Sequence, residues 1–145
     1  MSELTAAPFN YQFNDLVLVK AKSTNSFGTA PWSATNAVGA VISQVPSKMA
    51  APAMVSLTTE TMTVSWTPLL TSPANGNSQV LSYSLMWDNG SGTLSIELTD
   101  SLVTTYSVAG LTGGQTYSFK VAAVNIYGKG EYSDVTAIEA SDVPA

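Results

Sequence analysis

The chain has 145 residues, enough for one hydrophobic core of roughly 100 residues and a remainder. Charged residues are 10% of the chain, the net charge is -5 and the five basic residues are scattered lysines, so a nucleic-acid partner is excluded. Cysteine and histidine are absent, which removes disulfides, thiolate chemistry and the commonest metal ligand. No apolar stretch reaches the ~20 residues of a membrane span.

The first 45 residues contain a pattern that returns later in the chain. Six positions match 100 positions on, in the same order and with the same distances between them; four hold the same residue and two hold a different aromatic residue. They are Lys20, Asn25, Phe27, Gly28, Trp32 and Ser33, answered by Lys120, Asn125, Tyr127, Gly128, Tyr132 and Ser133. Each copy runs on to a Val-Pro pair, Val45-Pro46 and Val143-Pro144. One complete unit and one shortened unit indicate a segment of a repeat array.

From residue 46 onward, apolar and polar residues alternate with a period of two, which predicts an all-β fold. Seven strands are predicted, marked by Ala53 to Leu57; Met62, Val64 and Trp66; Tyr83, Leu85 and Trp87; Leu94, Ile96 and Leu98; Tyr106 and Val108; Tyr117, Phe119, Val121 and Ala123; and Val135 to Glu139. The pair Asn89-Gly90 predicts a hairpin turn because both residues accept a positive φ. Seven strands of this length fit a two-sheet sandwich.

Several of these elements together resemble the fibronectin type III domain, over residues 46–145. They are Trp66 followed by Pro68; the spacing of Val80, Tyr83 and Leu85; Leu111 six residues before Tyr117; and the stretch from Tyr117 to Ser133. The resemblance implies a seven-stranded immunoglobulin-like β-sandwich, with Trp66 in the core and Tyr117 as a tyrosine corner bonded to backbone. Gly113 departs from the family, which often has proline there.

Residues 1–45 resemble only the last three strands of the same fold, so we predict a partial, roughly three-stranded unit followed by a complete domain at 46–145. The inner face of such a partial unit would meet water, at a cost of roughly 1.5–3 kcal/mol per large apolar side chain. We therefore predict a partner interface at Val17, Val19, Ala21 and Trp32.

The strands that bury this inner face could come from three places. Preceding residues of a longer array could supply the missing strands, or a neighbouring copy could supply them in trans and form a head-to-tail polymer. The segment could also fold back on its own complete domain, which is disfavoured because that domain already uses its inner faces.

Carboxylates are the remaining route to catalysis. Asp88, Glu97 and Asp100 surround one predicted hairpin and could flank a glycosidic bond, although solvated side chains are the simpler interpretation. The acidic residues near the carboxyl end show no calcium-loop spacing; they are Asp134, Glu139 and Asp142. We therefore predict no enzyme, and no catalytic, cofactor or metal site.

Two surface motifs bear on partners. Asn89-Gly90-Ser91 is an N-glycosylation sequon on a predicted exposed turn, so Asn89 is a candidate for modification. The loop at residues 129–131 occupies the place of an integrin-binding tripeptide in some family members, but this sequence lacks that tripeptide.

The resemblance and the surface composition predict an extracellular or cell-surface structural module that assembles end to end into a fibre or filament, with proteins as partners and glycans as attachments. The Val45-Pro46 linker would stiffen the junction between units. The alternative is a cell-adhesion or ligand- or glycan-binding module acting through the loops at residues 73–78 and 125–131. A third hypothesis is an accessory domain beside a carbohydrate-active catalytic domain. Residues 1–15 do not resemble a signal peptide, so we expect any export signal to lie outside this chain.

Overall fold

The computed structural model describes residues 2–142, so Val143 and Pro144 of the second Val-Pro pair lie outside the described residues. The backbone divides into two compact units, one ending at Ser43 and the other beginning at Gln44. Each unit has its own pattern of backbone pairing.

The first unit contains little regular structure. Its elements are α1 (Ser2–Thr5), β1 (Thr24–Asn25) and β2 (Gly28–Thr29), and an isolated bridge joins Leu16 to Val41. The sequence predicted three strands and no helix here, whereas the described residues form one short helical turn and two paired two-residue strands. That residues 1–45 are part of a fibronectin type III unit stays a prediction.

The second unit consists of antiparallel strands in two sheets. They are β3 (Ala53–Leu57), β4 (Thr61–Ser65), β5 (Val80–Trp87), β6 (Ile96–Ser101), β7 (Thr105–Ala109), β8 (Thr116–Asn125), β9 (Gly128–Lys129) and β10 (Thr136–Glu139). One sheet has the order β3-β4-β7, and the other has the order β10-β8-β5-β6, with β9 also paired to β8. Each of the seven predicted strands has a counterpart in the structure, although the fourth begins later than predicted, and β9 is added to them.

The core lies where the alternation of the sequence predicts it. Met62 and Val64 of one sheet and Leu85 of the other are 0% exposed, and Trp66 is 5% exposed. Tyr117 stacks on the core side chain Trp87, and its hydroxyl accepts a hydrogen bond from the Thr112 N–H at 2.9 Å. The predicted core tryptophan and the tyrosine corner are both confirmed.

The hairpin between β5 and β6 follows the prediction at its turn but not in its second strand. Asn89 and Gly90 have φ of 50° and 75°, as a tight turn with two positive φ values requires. Leu94 was predicted to begin the next strand, but that strand begins at Ile96, whose side chain is 43% exposed. The pairing with β5 shifts register at Leu85, so a simple alternation misplaces the strand that follows.

Candidate functional site

The N-terminal hairpin, which we define as residues 14–42, has two extended arms joined by the turn after β1. The Ser33 N–H donates to the Ala21 carbonyl at 2.8 Å, and the Ala21 N–H donates to the Ser33 hydroxyl at 3.0 Å. Nearer the turn, the Ala30 N–H donates to the Ser23 carbonyl at 2.9 Å. These bonds hold the two arms together beyond the ends of β1 and β2, and the pairing shifts by one residue between Ser23–Ala30 and Ala21–Ser33.

The same hydrogen bonds are found 100 residues later, between β8 and the segment that follows β9. The Ser133 N–H donates to the Val121 carbonyl at 2.8 Å, and the Val121 N–H donates to the Ser133 hydroxyl at 3.0 Å. The Gly130 N–H donates to the Ala123 carbonyl at 2.9 Å. The repeat seen in the sequence is therefore also a repeat of backbone hydrogen bonding.

The two hairpins differ in the exposure of one row of side chains. In β8 this row faces the core, and Phe119 and Val121 are each 0% exposed. The matching residues of the N-terminal hairpin are Val19, which is 59% exposed, and Ala21, which is also exposed, while Val17 is half-buried. The row is therefore buried in the hairpin of the complete unit and largely exposed to solvent in the N-terminal hairpin.

Trp32 lies on the opposite face of the N-terminal hairpin from this row. Ser33 pairs with Ala21 and Ala30 pairs with Ser23, so Pro31 and Trp32 together lie opposite Lys22, whose side chain alternates in face with that of Ala21. The Lys22 Nζ lies 4.7 Å from the centroid of the Trp32 ring. The four residues predicted to form one partner interface therefore occupy two faces. We name Val17, Val19 and Ala21 the apolar row and treat Trp32 separately.

Asn125 at the end of β8 forms hydrogen bonds that hold the leading segment, which we define as residues 44–47 at the start of the complete unit. Its side-chain amide donates to the Gln44 carbonyl at 2.7 Å and to the Asn75 carbonyl at 3.1 Å, and the residue is 3% exposed. Asn25, the counterpart, accepts a hydrogen bond from the Phe27 N–H at 2.9 Å and is exposed. Within residues 2–142, the Asn25 amide nitrogen donates no hydrogen bond.

Two glycines let the leading segment lie close to the loops of the complete unit. The Gln44 N–H donates to the Gly76 carbonyl at 3.0 Å, and a Cβ on Gly76 would collide with the Gln44 carbonyl oxygen. A Cβ on Gly130 would likewise collide with the Pro46 carbonyl oxygen. The segment around Pro46 is therefore held by backbone contacts as well as by the stiffness of proline.

Asp88 is 2% exposed and is not the solvated carboxylate that the sequence predicted. Its Oδ1 accepts hydrogen bonds from the Gly90 N–H at 2.9 Å and from the Ser118 N–H at 3.0 Å. Burial raises the pKa of Asp88, but the hydrogen bonds from Ser118 and Gly90 outweigh burial, so the pKa is lowered overall. Asp88 thus joins the turn after β5 to β8 and has a structural role.

Glu97 belongs to a polar network on the outer face of the sheet. It accepts a short hydrogen bond from the Ser84 hydroxyl and forms an ion pair of 3.3 Å with Lys129, which lies 2.8 Å from Ser84 and 3.1 Å from the Tyr132 hydroxyl. The Ser84 bond and the Lys129 pair lower the pKa of Glu97. Burial opposes the charge of Lys129, but Tyr132 and Glu97 outweigh burial and raise its pKa. Lys129 is therefore a cation and does not activate Ser84, which is 0% exposed.

The other predicted acidic residues do not converge on a site. Asp100 is exposed on β6, and Asp134 pairs with Lys48 at 2.8 Å. Glu139 and Asp142 are exposed at the end of the described chain. In residues 2–142 no three acidic side chains approach closely enough to hold a metal ion. No helix in that range is long and apolar enough to span a membrane.

Asn89 is exposed at the tip of the β5–β6 turn, where the sequon predicts glycosylation. The hydroxyl of Ser91, the third residue of the sequon, donates to the Asp88 carbonyl at 2.6 Å. The Asn89 side chain is therefore exposed to solvent, and the hydrogen bond from Ser91 to Asp88 stabilises the turn that carries it.

The loops of the complete unit expose large apolar side chains at one end. Leu70 is 77% exposed and Leu102 is 60% exposed, and both line a hollow of about 200 Å³ whose floor includes Tyr83 and Val80. Ile126, on the turn between β8 and β9, is 69% exposed. This end of the complete unit offers apolar contact surface on its loops.

The architecture defines the class of protein, an immunoglobulin-like β-sandwich closed by a tyrosine corner. The family described as the fibronectin type III domain matches residues 47–139. The chain therefore belongs to the fibronectin type III domain family, whose members are in general non-catalytic modules.

Similar proteins were found among curated sequences and among solved structures. Protein sidekick-1 of chicken (Gallus gallus) is 40% identical over 67 residues, which cover 45% of this chain and 3% of that protein. Protein sidekick-1 of mouse (Mus musculus) is 37% identical over 78 residues, which cover 52% of this chain and 3% of that protein. The chain thus spans about 3% of the length of these curated relatives.

Among solved structures, the sixth fibronectin type III domain of human fibronectin type III domain containing protein 3 is similar, with a TM-score of 0.59. It is 23% identical, and the match covers 76% of this chain and 98% of that domain. This likeness shows the shared fold.

Proposed function

We propose that this chain is a non-catalytic structural module of an extracellular tandem fibronectin type III protein, and that it assembles end to end into an extended fibre or filament. Strands from an adjoining unit or a neighbouring chain cover its apolar row. The observation that carries the proposal is the exposure of Val19, at 59%, where the matching Phe119 is 0% exposed.

The physical drive for assembly is burial of the apolar row. Each large apolar side chain removed from water contributes roughly 1.5–3 kcal/mol. The backbone of the N-terminal hairpin already has the hydrogen-bond pattern of a hairpin that is covered on one face in the complete unit. A partner that supplies similar cover therefore needs no new pairing between the two arms.

The test is self-association of the chain at micromolar concentration, measured by analytical ultracentrifugation. We expect Val19→Asp to abolish association, while thermal unfolding of residues 46–145 is unchanged. Leu18→Asp is the matched control, because Leu18 is 55% exposed, adjoins Val19 and points to the other face. Normal assembly of Val19→Asp, or equal loss in both variants, would contradict the proposal.

An extracellular location would expose Asn89 to glycosylation, and the exposed turn supports this part of the proposal. Secretion of the chain from a eukaryotic cell should yield a mass that falls on enzymatic removal of N-linked glycans. Ser91→Ala removes the sequon and retains Asn89, so this variant should lack the mass difference. A wild-type chain without any such difference would refute modification at Asn89.

The alternative function is cell adhesion or the binding of a ligand or glycan through the loops. The hollow beside Leu70 and Leu102 favours it, because exposed apolar side chains around a concave surface are typical of binding sites. A chain that stays monomeric but binds a protein or glycan, and loses that binding in Leu70→Asp, would favour this function over assembly.

A further inference from the structure

The N-terminal hairpin has a free backbone edge, formed by Lys20 and Lys22. Ala21 directs its N–H and carbonyl towards Ser33, so its neighbours direct theirs to the opposite side of the arm. Within residues 2–142 the backbone groups of Lys20 and Lys22 form no hydrogen bond. Unpaired groups in such a row are a template for an added strand.

The complete unit shows what covers the same edge 100 residues later. Lys120 and Ala122 of β8 lie opposite Met86 and Ser84 of β5. Because Val121 directs its N–H and carbonyl to the other side of β8, it is Lys120 and Ala122 that bond to β5. A lysine at this position is therefore compatible with pairing on both sides of the strand.

We propose that the free edge of the N-terminal hairpin accepts an antiparallel strand with the side-chain pattern of β5. In the register of the complete unit, a residue like Ser84 would lie opposite Lys22 and a residue like Leu85 opposite Ala21. This inference rests on the proposed function, and it specifies which kind of strand pairs beside the apolar row and in which register.

The side chains of the two hairpins support this choice of occupant. The core-facing residues of β5 are large, namely Tyr83, Leu85 and Trp87, and they lie opposite Ala123, Val121 and Phe119. The corresponding residues of the N-terminal hairpin are Ser23, Ala21 and Val19; Ala21 and Val19 are smaller than their counterparts, and Ser23 differs from alanine by one hydroxyl. A β5-like strand therefore meets no added bulk in the row, and its large apolar side chains would lie beside Ala21 and Val19 on the same face.

The experiment uses the full chain and a labelled peptide of residues 79–88, below the concentration at which the chain self-associates. Fluorescence anisotropy gives the Kd. N-methylation of the Ser84 amide removes a donor from the side that faces the edge, and N-methylation of Leu85 alters the opposite side and is the matched control. We expect the Ser84 modification to weaken binding about tenfold, or ~1.4 kcal/mol, the scale of one hydrogen bond. The Leu85 modification should leave the Kd unchanged.

The chain itself supplies a second comparison. Lys22→Pro removes one N–H from the free edge and should weaken binding of the unmodified peptide by a similar factor. Lys22→Ala removes the side chain and its contact with Trp32 but keeps the N–H, and should leave binding unchanged. Loss of binding in Val19→Asp would show that the peptide lies on the N-terminal hairpin and not on the complete unit.

Each outcome separates this inference from the proposed function. Equal binding of both N-methylated peptides would mean contact through the face without strand pairing, which overturns the inference and leaves assembly intact. Failure of the peptide to bind a chain that still self-associates through Val19 would also overturn the inference alone. Absence of both peptide binding and self-association would refute both.

Discussion

The two hairpins that lie 100 residues apart share their backbone hydrogen bonds and differ in their surroundings. In both, a serine hydroxyl and N–H bond the residue opposite, at matching distances. Yet Phe119 is 0% exposed and Val19 is 59% exposed. Local sequence is therefore sufficient to set the register of a hairpin, whereas burial of one face depends on strands from elsewhere.

The asparagine at the end of the first arm of each hairpin shows the same contrast between local bonding and tertiary surroundings. Asn25 and Asn125 each accept a hydrogen bond from the N–H two residues on, at 2.9 Å. Only Asn125 also donates to two carbonyls, those of Gln44 and Asn75. The hydrogen bond within the turn is thus set by local sequence. The hydrogen bonds from Asn125 to Gln44 and Asn75 depend on tertiary structure, and we call them the clamp on the leading segment.

The strongest way to test this contrast is to truncate the matched residues of the two rows. Phe119→Ala should destabilise the complete unit by about 3–5 kcal/mol, because it leaves a cavity in the core. Val19→Ala should change the free energy of unfolding of the complete unit by less than about 0.5 kcal/mol. Chemical denaturation monitored by tryptophan fluorescence gives both values, and similar losses in the two variants would show that the hairpins have equivalent surroundings.

A smaller effect is expected at the asparagine pair. Asn125→Ala leaves the Gln44 and Asn75 carbonyls without this donor and should cost about 1–3 kcal/mol, with faster amide hydrogen exchange around residues 44–47. Asn25→Ala, at an exposed position, should cost less than about 0.5 kcal/mol. Unchanged exchange at residues 44–47 in Asn125→Ala would show that the clamp does not hold this segment.

The smallest expected effect concerns Asp88 and pH. Its folded pKa lies below its ordinary value of 3.8, so ionised Asp88 stabilises the fold above that pH and loses this contribution as pH falls through the folded pKa. Asp88→Asn keeps an acceptor oxygen but no charge, and should cost about 1 kcal/mol at neutral pH. Thermal unfolding from pH 7 down to pH 3 should show this cost shrinking on acidification.

Asp100→Asn, an exposed change on the same hairpin, is the control for the loss of one charge. A cost for Asp88→Asn that stays constant over the whole pH range would contradict a role for the ionised carboxylate.

Much of the complete unit could be predicted from sequence because its signals are local. Alternation of side chains identified the strands around Val64 and Phe119, and the pair Asn89-Gly90 identified the turn. The tyrosine corner followed from family resemblance at Tyr117. Each signal depends on a few adjacent residues, which is why no long-range information was needed.

The failed predictions share a different cause. Leu94 was placed in a strand that begins at Ile96, because a register shift between paired strands leaves no mark on alternation. Asp88 was expected in solvent, although the Ser118 N–H from β8 holds it inside. Trp32 was predicted to share one partner interface with the apolar row, but its ring lies beside Lys22 on the other face of the hairpin. The partner role of that row stays a prediction.

By itself the sequence determined the approximate positions of seven strands of the complete unit, the turn at Asn89, and a segment that occurs twice. Only the tertiary structure decided which face of each hairpin is covered, where Asp88 and Trp32 lie, and what Asn125 holds. The physical reason is that alternation and turn chemistry act between residues close in the chain. Burial and clamping depend on strands and loops that are distant in sequence and meet only when the sheets pack.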